Sequence, residues 1–156
     1  MTAKEYLSQL RLLDIKISQK IKEAEELKAL AFNAGALSAE REKVQTSLSG
    51  SSRQCDMIEK YVDLQTEIDS EIDSYADLKH KIINEIHQLS DSRYVELLNL
   101  RYVPDKEGRV KRLEDIAVIM KKSNGGEYSY QRIRELHGYA LKAFEEKILK
   151  YYIKPT

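Results

Sequence analysis

The chain of 156 residues has one cysteine, two prolines, six glycines, two phenylalanines and no tryptophan. A lone Cys55 cannot close an internal disulfide, so a disulfide scaffold is excluded and a reducing compartment is expected. Pro104 and Pro155 are too few, and the glycines too sparse, for the many tight turns of a β-sandwich or barrel. No stretch approaches the roughly 18 apolar residues of a membrane span. The opening Met1-Thr2-Ala3-Lys4-Glu5 runs straight into an amphipathic pattern without an apolar signal core. What the chain has instead is charge, at 33% of residues, and 42% hydrophobic residues rich in Leu and Ile. That balance predicts an ordered, mostly helical protein of the cytoplasm.

The formal net charge is zero, but the two signs are unevenly spread. Residues 1–90 carry 12 Lys+Arg and 16 Asp+Glu, a net −4, and residues 91–156 carry 14 and 10, a net +4. Only the rear part suits a polyanionic partner.

Apolar residues at Leu10, Leu13, Ile17, Ala24, Leu27 and Ala31, widened by Leu7, Ile21 and Leu30, predict one helix from Lys4 to about Ala31. Lys20 interrupts its seam. Phe32 to Ser52, with Gly35, Gly50 and the run Thr46-Ser47-Leu48-Ser49-Gly50-Ser51-Ser52, reads as a mobile linker. A second long helix is expected from Ser51, where Ser51-Ser52-Arg53-Gln54 has the form of a capping box. Tyr61, Leu64, Ile68, Ile72, Tyr75, Leu78, Ile82, Ile86 and Leu89 alternate in steps of three and four for about four heptads, which predicts a coiled coil. The other faces are acidic (Asp63, Glu67, Asp69, Glu71, Asp73, Asp77). The stripe from Tyr61 to Ile86 is therefore the expected oligomerisation surface, paired with the first helix, with a second copy, or with both.

Ser90-Asp91-Ser92 ends that helix and can cap a short one that stops before Pro104. Residues 103–112 form a polar, basic loop. Leu113 to Met120 is a helix of about two turns, Lys121 to Glu127 a turn with adjacent glycines, and Ser129 to about Tyr152 the last helix, with Ile133, Leu136, Ala140, Leu141 and Phe144 inward. This is the order of a helix-turn-helix. On the last helix Gln131, Arg134, Glu135, Gly138 and Lys142 face outward. Gln131 and Arg134 can read adenine and guanine edges. Ser129, Arg132, Lys121, Lys122, Arg109, Lys111 and Arg112 lie where phosphates would pass.

Leu97-Leu98-Asn99-Leu100-Arg101-Tyr102, Leu113-Glu114-Asp115-Ile116-Ala117, Ser129-Tyr130-Gln131-Arg132-Ile133-Arg134 and Ala140-Leu141-Lys142 resemble region 4 of bacterial sigma factors, which reads the promoter −35 element. The opening, Thr2-Ala3-Lys4-Glu5-Tyr6-Leu7 through Leu12-Leu13-Asp14-Ile15-Lys16-Ile17, resembles small regulators of Gram-positive phages and prophages related to the ArpU-type regulators of late transcription. The turn from Lys121 to Glu127 is longer than in the sigma pattern. The resemblance implies a phage-encoded transcriptional regulator that binds promoter DNA in the bacterial cytoplasm, with host RNA polymerase as a further contact.

Pattern and resemblance together predict an all-α protein. A helical coiled-coil arm (1–90, with the linker at about 32–52) precedes a sigma-region-4-like helix-turn-helix module (91–156), in a dimer. The alternative is a coiled-coil protein-binding module that inhibits or adapts a host protein. No Gly-rich phosphate loop, nucleophile elbow or metal-ligand spacing is present, so no catalytic residue, cofactor or metal is expected. His80 and His87, seven apart, read as surface residues, Cys55 as a small apolar filler, and Tyr151-Tyr152-Ile153 as closing the bundle.

Overall fold

A computed structural model describes residues 1–40 and 49–152; for 34–40 and 49–51 it describes the backbone alone. The fold is all-α: among the described residues there are helices and no strand, and only one isolated β-bridge, between Lys121 and Glu127. No helix of the described residues is long and apolar enough to cross a membrane.

Helix α1 (Ala3–Glu40, 38 residues) starts at a reciprocal cap. The Glu5 N–H donates to Thr2 Oγ1 at 3.3 Å and the Thr2 N–H donates to Glu5 Oε2 at 2.8 Å. Helix α2 spans Ser49–His87 (39 residues). Both bounds correct the expected linker. Phe32 to Glu40 continue α1, and Ser49 to Ser52 already belong to α2, while residues 41–48 lie outside the described residues. The physical reason is the Ala- and Leu-rich run from Ala29 to Leu37, in which a single Gly35 costs only about 1 kcal/mol of helix propensity. The capping box expected at Ser51 involves a side chain outside the described residues; the Gln54 Nε2 donates to the Ala31 carbonyl at 3.3 Å.

The chain forms two compact units, cut at Asp14/Ile15 and Ser74/Tyr75. The first holds residues 1–14 and 75–156, so the first turns of α1 and the last turns of α2 pack with everything that follows. Asp91 caps α3 (Ser92–Tyr102), its Oδ1 accepting from the Arg93 N–H at 2.9 Å. Helix α4 is Leu113–Ile119 and α5 is Tyr130–Phe144. From α5 the chain runs on through a π-helical segment, Glu145–Leu149, to a final turn at Lys150–Tyr152. One core joins Tyr6, Leu7 and Leu10 of α1, Ile82 and Ile86 of α2, Leu97 and Leu98 of α3, Ile116 and Met120, and Ile133, Leu136 and Phe144 of α5. The π-helical segment widens the helix and buries Ile148 and Leu149. Just beyond it the Tyr152 hydroxyl donates to Glu85 Oε1 at 2.8 Å, and the Tyr6 hydroxyl donates to Glu85 Oε2 at the same distance. Glu85 is thus a buried carboxylate held by two phenols, which is why it can sit in a core at all. Tyr151, expected to close the bundle, is 78% exposed.

The second unit, residues 15–74, is an antiparallel pair made of the middle of α1 and the front of α2. Its buried apolar residues are Ile17, Ala24, Ala31 and Ile68. Lys20, which breaks the seam of α1, donates to Glu71 Oε1 at 2.6 Å and Glu67 Oε2 at 3.1 Å, so the interruption is an ion-pair position rather than a gap. Cys55 is exposed on α2 and fills nothing.

Candidate nucleic-acid interface

The stretch from α4 to α5 positions the basic residues. Pairing of the Lys122 N–H with the Gly126 carbonyl (2.8 Å) and of the Gly125 N–H with the Lys122 carbonyl (2.8 Å) folds residues 121–127 into a tight hairpin. Gly125 sits there at φ +81°, a conformation only glycine adopts without strain. The Lys121 ammonium meets Glu127 Oε1 at 3.0 Å. The hairpin delivers Ser129 as the N-cap of α5, its hydroxyl accepting from the Arg132 N–H at 3.2 Å.

From that cap α5 divides cleanly. Ile133, Leu136, Ala140 and Phe144 are buried, while Gln131, Arg132, Arg134, Glu135 and Lys142 are exposed. Besides Lys121, three of the four cationic side chains on or beside this face already have neighbours. Arg132 pairs with Glu135 at 3.0 Å, Arg134 lies 5.8 Å from the Tyr130 ring centre, and Lys122 lies 5.7 Å from that of Tyr128. These contacts hold the side chains extended along the surface without burying the charges. Arg112 is exposed at the start of α4, where its N–H donates to Asp115 Oδ2 at 3.3 Å. Arg112, Lys121, Lys122, Ser129, Gln131, Arg132, Arg134, Glu135 and Lys142 therefore lie exposed in the first unit, on α5 or its cap, on the hairpin or at the start of α4, while Arg109 is exposed and Lys111 half-buried in the loop before α4. Ser129 and Lys121 have local work, as cap and ion pair, in addition to any contact with a ligand.

One residue escaped the sequence reading. An open cleft of about 750 Å³ is lined by Ser92, Arg93, Lys122, Ser123, Asn124, Tyr128, Ser129 and Arg132. The starts of α3 and α5 both border it, so their positive helix ends join three cationic side chains in one concavity. Arg93 is held there by Asp91, Nη2 to Oδ2 at 2.7 Å. The same bond lowers the Asp91 pKa below the ordinary carboxylate range and raises that of Arg93. The spacing Asp91-x-Arg93 was visible as a cap, but that this cap abuts the hairpin depends on the packing of α3 on α5.

A second polar pair ties α5 to α3. The Tyr102 hydroxyl lies 2.8 Å from His137 Nε2, and the rings stack at 5.8 Å between centres. Burial, helped by the Arg101 and Lys4 charges, lowers the His137 pKa to about 4, so the imidazole is neutral at pH 7.

The residues expected to mediate oligomerisation are largely occupied within the chain. Ile82 and Ile86 are fully buried in the core of the first unit, and Tyr75 and Leu78 pack against it. Ile68 is buried in the second unit, and Tyr61 and Leu64 are half-buried there. Only Ile72 stands exposed, at 43%. Among the described residues no group of His, Cys, Asp and Glu could hold a metal, and His80 and His87 are both exposed. No protein-family model, no curated protein and no solved structure matches this chain.

Proposed function

We propose that the chain is a phage-type transcriptional regulator that binds double-stranded promoter DNA, with α4, the hairpin and α5 acting as a helix-turn-helix. The observation that carries this reading is the division of α5 into a buried apolar face and an exposed face bearing Gln131, Arg134 and Lys142, beside a cleft holding Arg93, Lys122 and Arg132. A helix so supported can enter a major groove while the flanking cations hold phosphate. Gln131 and Arg134 are the base readers in this reading, Lys122, Arg112, Arg93 and Arg132 the phosphate contacts, and host RNA polymerase the further partner.

The test is selection of bound duplexes from a random pool, followed by titrations on the selected site and its single-base variants. Arg134→Ala is expected to cost ~1–3 kcal/mol on the selected site and to relax preference at about one base pair. Lys122→Ala is expected to weaken all sequences alike. Affinity should fall with salt at a log–log slope near −0.9 per phosphate contact. Unchanged affinity and preference in Arg134→Ala, with helicity intact, would remove α5 as the reader and favour the adaptor reading.

A further inference from the structure

The second unit carries an apolar flank that its own pairing leaves open. On α2 the residues Cys55, Ile58, Val62, Gln65, Asp69 and Ile72 follow one another in steps of three and four, about 50–100° around the helix from the stripe that contains Ile68. Ile58 is 47% exposed, Val62 53% and Ile72 43%. On α1, Ile21 and Phe32 stand in the corresponding positions beside Ile17 and Ala31, and Phe32 is 69% exposed. Lys20, Glu67 and Glu71 lie on the other side of their buried stripes and close one flank of the pair with ion pairs. Because the two segments run antiparallel, the residues on the far side of both stripes share the opposite flank. Ile21, Phe32, Ile58, Val62 and Ile72 thus share one face within residues 15–74, with Glu25, Lys28, Gln65 and Asp69 between them.

We propose that this flank is the site at which a second copy of the chain docks, with the α2 segments antiparallel about a two-fold axis at Gln65. The order of the stripe is what selects a second copy. Reflected about Gln65, Ile58 falls opposite Ile72 of the second copy and Gln65 opposite its own counterpart. That places apolar contacts at both ends, one pair of amides, which can hydrogen-bond to each other, at the centre, and between them Val62 beside Asp69 of the second copy, an order that repeats on both sides of a two-fold axis. The flank from Cys55 to Ile72 is about 26 Å long at 1.5 Å per residue, and a helix pair is about 20 Å wide. Two such faces bury roughly 1,000 Å², the lower limit for a specific interface. Residues 15–74 hold 8 Lys+Arg and 12 Asp+Glu, a net −4, so the copies repel one another. Salt therefore strengthens the dimer, the reverse of its effect on DNA binding, and the two proposals fail separately.

Sedimentation equilibrium of the full chain at micromolar concentrations is expected to give a dimer whose dissociation constant falls between 50 and 500 mM salt. The pair Ile58→Lys and Ile72→Lys, both at exposed positions, should weaken it at least about tenfold without loss of helicity. In a Cys55→Ser background Gln65→Cys should cross-link under mild oxidation, whereas Lys60→Cys, on the other side of α2, should not. A monomer throughout that range overturns the proposal. So does a dimer that is indifferent to Ile58 and Ile72, which would lie elsewhere on the surface. A monomer that binds a synthetic Leu/Lys amphipathic peptide through Ile58 and Ile72 overturns it too, and assigns the flank to a foreign basic helix.

Discussion

The same two long helices serve two kinds of packing. Where the ends of α1 and α2 meet α3 and α5, large side chains such as Leu7, Leu10, Ile82, Ile86 and Phe144 are fully buried, and a charged Glu85 is accommodated by two phenols. Where the middle of α1 meets the front of α2, the buried residues are Ile17, Ala24, Ala31 and Ile68, two of them alanines, and a lysine sits in the seam. The charges differ as well, +4 for residues 1–14 with 75–156 and −4 for residues 15–74. The difference teaches that a continuous heptad-like stripe does not have one job. At Ile82 and Ile86 it is core. At Ile68 it is a narrow seam, and at Ile72 it is surface.

Breaking the first unit should have the largest effect. Ile133→Asp puts a carboxylate into a fully buried site and is expected to cost ~3–5 kcal/mol, with loss of helical circular dichroism and of DNA binding together. The equivalent Ile68→Asp should leave the first unit folded, and hydrogen exchange can show this as lost protection confined to residues 15–74.

Acidification should come next. His137 is held well below its unfolded pKa of about 6.5, so the unfolded chain binds the extra proton first. Stability contributed by the neutral imidazole is complete above pH 6.5 and is lost as pH falls toward about 4. The loss is on the order of 2 kcal/mol after allowance for its partial exposure. Denaturant melts of the unmodified chain and of His137→Gln, compared between pH 7 and 4.5, should converge as pH falls.

A smaller effect belongs to the α5 cap. Ser129→Ala removes the acceptor for the Arg132 N–H and should cost about 1 kcal/mol, read by thermal melts. Its DNA affinity should fall only modestly. The smallest change is expected at Lys20. Its side chain and that of Glu71 are each 29% exposed and that of Glu67 is 63% exposed, so Lys20→Leu should change stability by only about 1 kcal/mol. The sign becomes favourable when Glu71→Leu is added.

Much of this was legible in the sequence. The inward residues of α3, α4 and α5 follow from a period of 3.6, and the start of α3 at Asp91, the end before Pro104 and the turn at Gly125-Gly126 follow from local backbone chemistry. Thr2-x-x-Glu5 is an equally local signal, a capping box at the start of α1. Residues 32–40 and 49–52 are helical rather than linker because the helix propensity of the alanines around Gly35 outweighs one glycine.

Local rules cannot say which surface an amphipathic stripe will meet, because burial depends on residues far away in the chain. The sequence by itself determined that the protein is helical, where most helices begin and end, and which side of each is apolar. Only the tertiary structure decided that α1 and α2 enter the core of the C-terminal helices and that Lys20 answers Glu71. It also decided that Tyr6 and Tyr152 converge on Glu85, and that Arg93 joins Lys122 and Arg132 in one cleft. Those contacts join residues from 10 positions apart (Lys122 and Arg132) to 138 positions apart (Tyr6 and Phe144), and side-chain geometry rather than sequence spacing selects the partner.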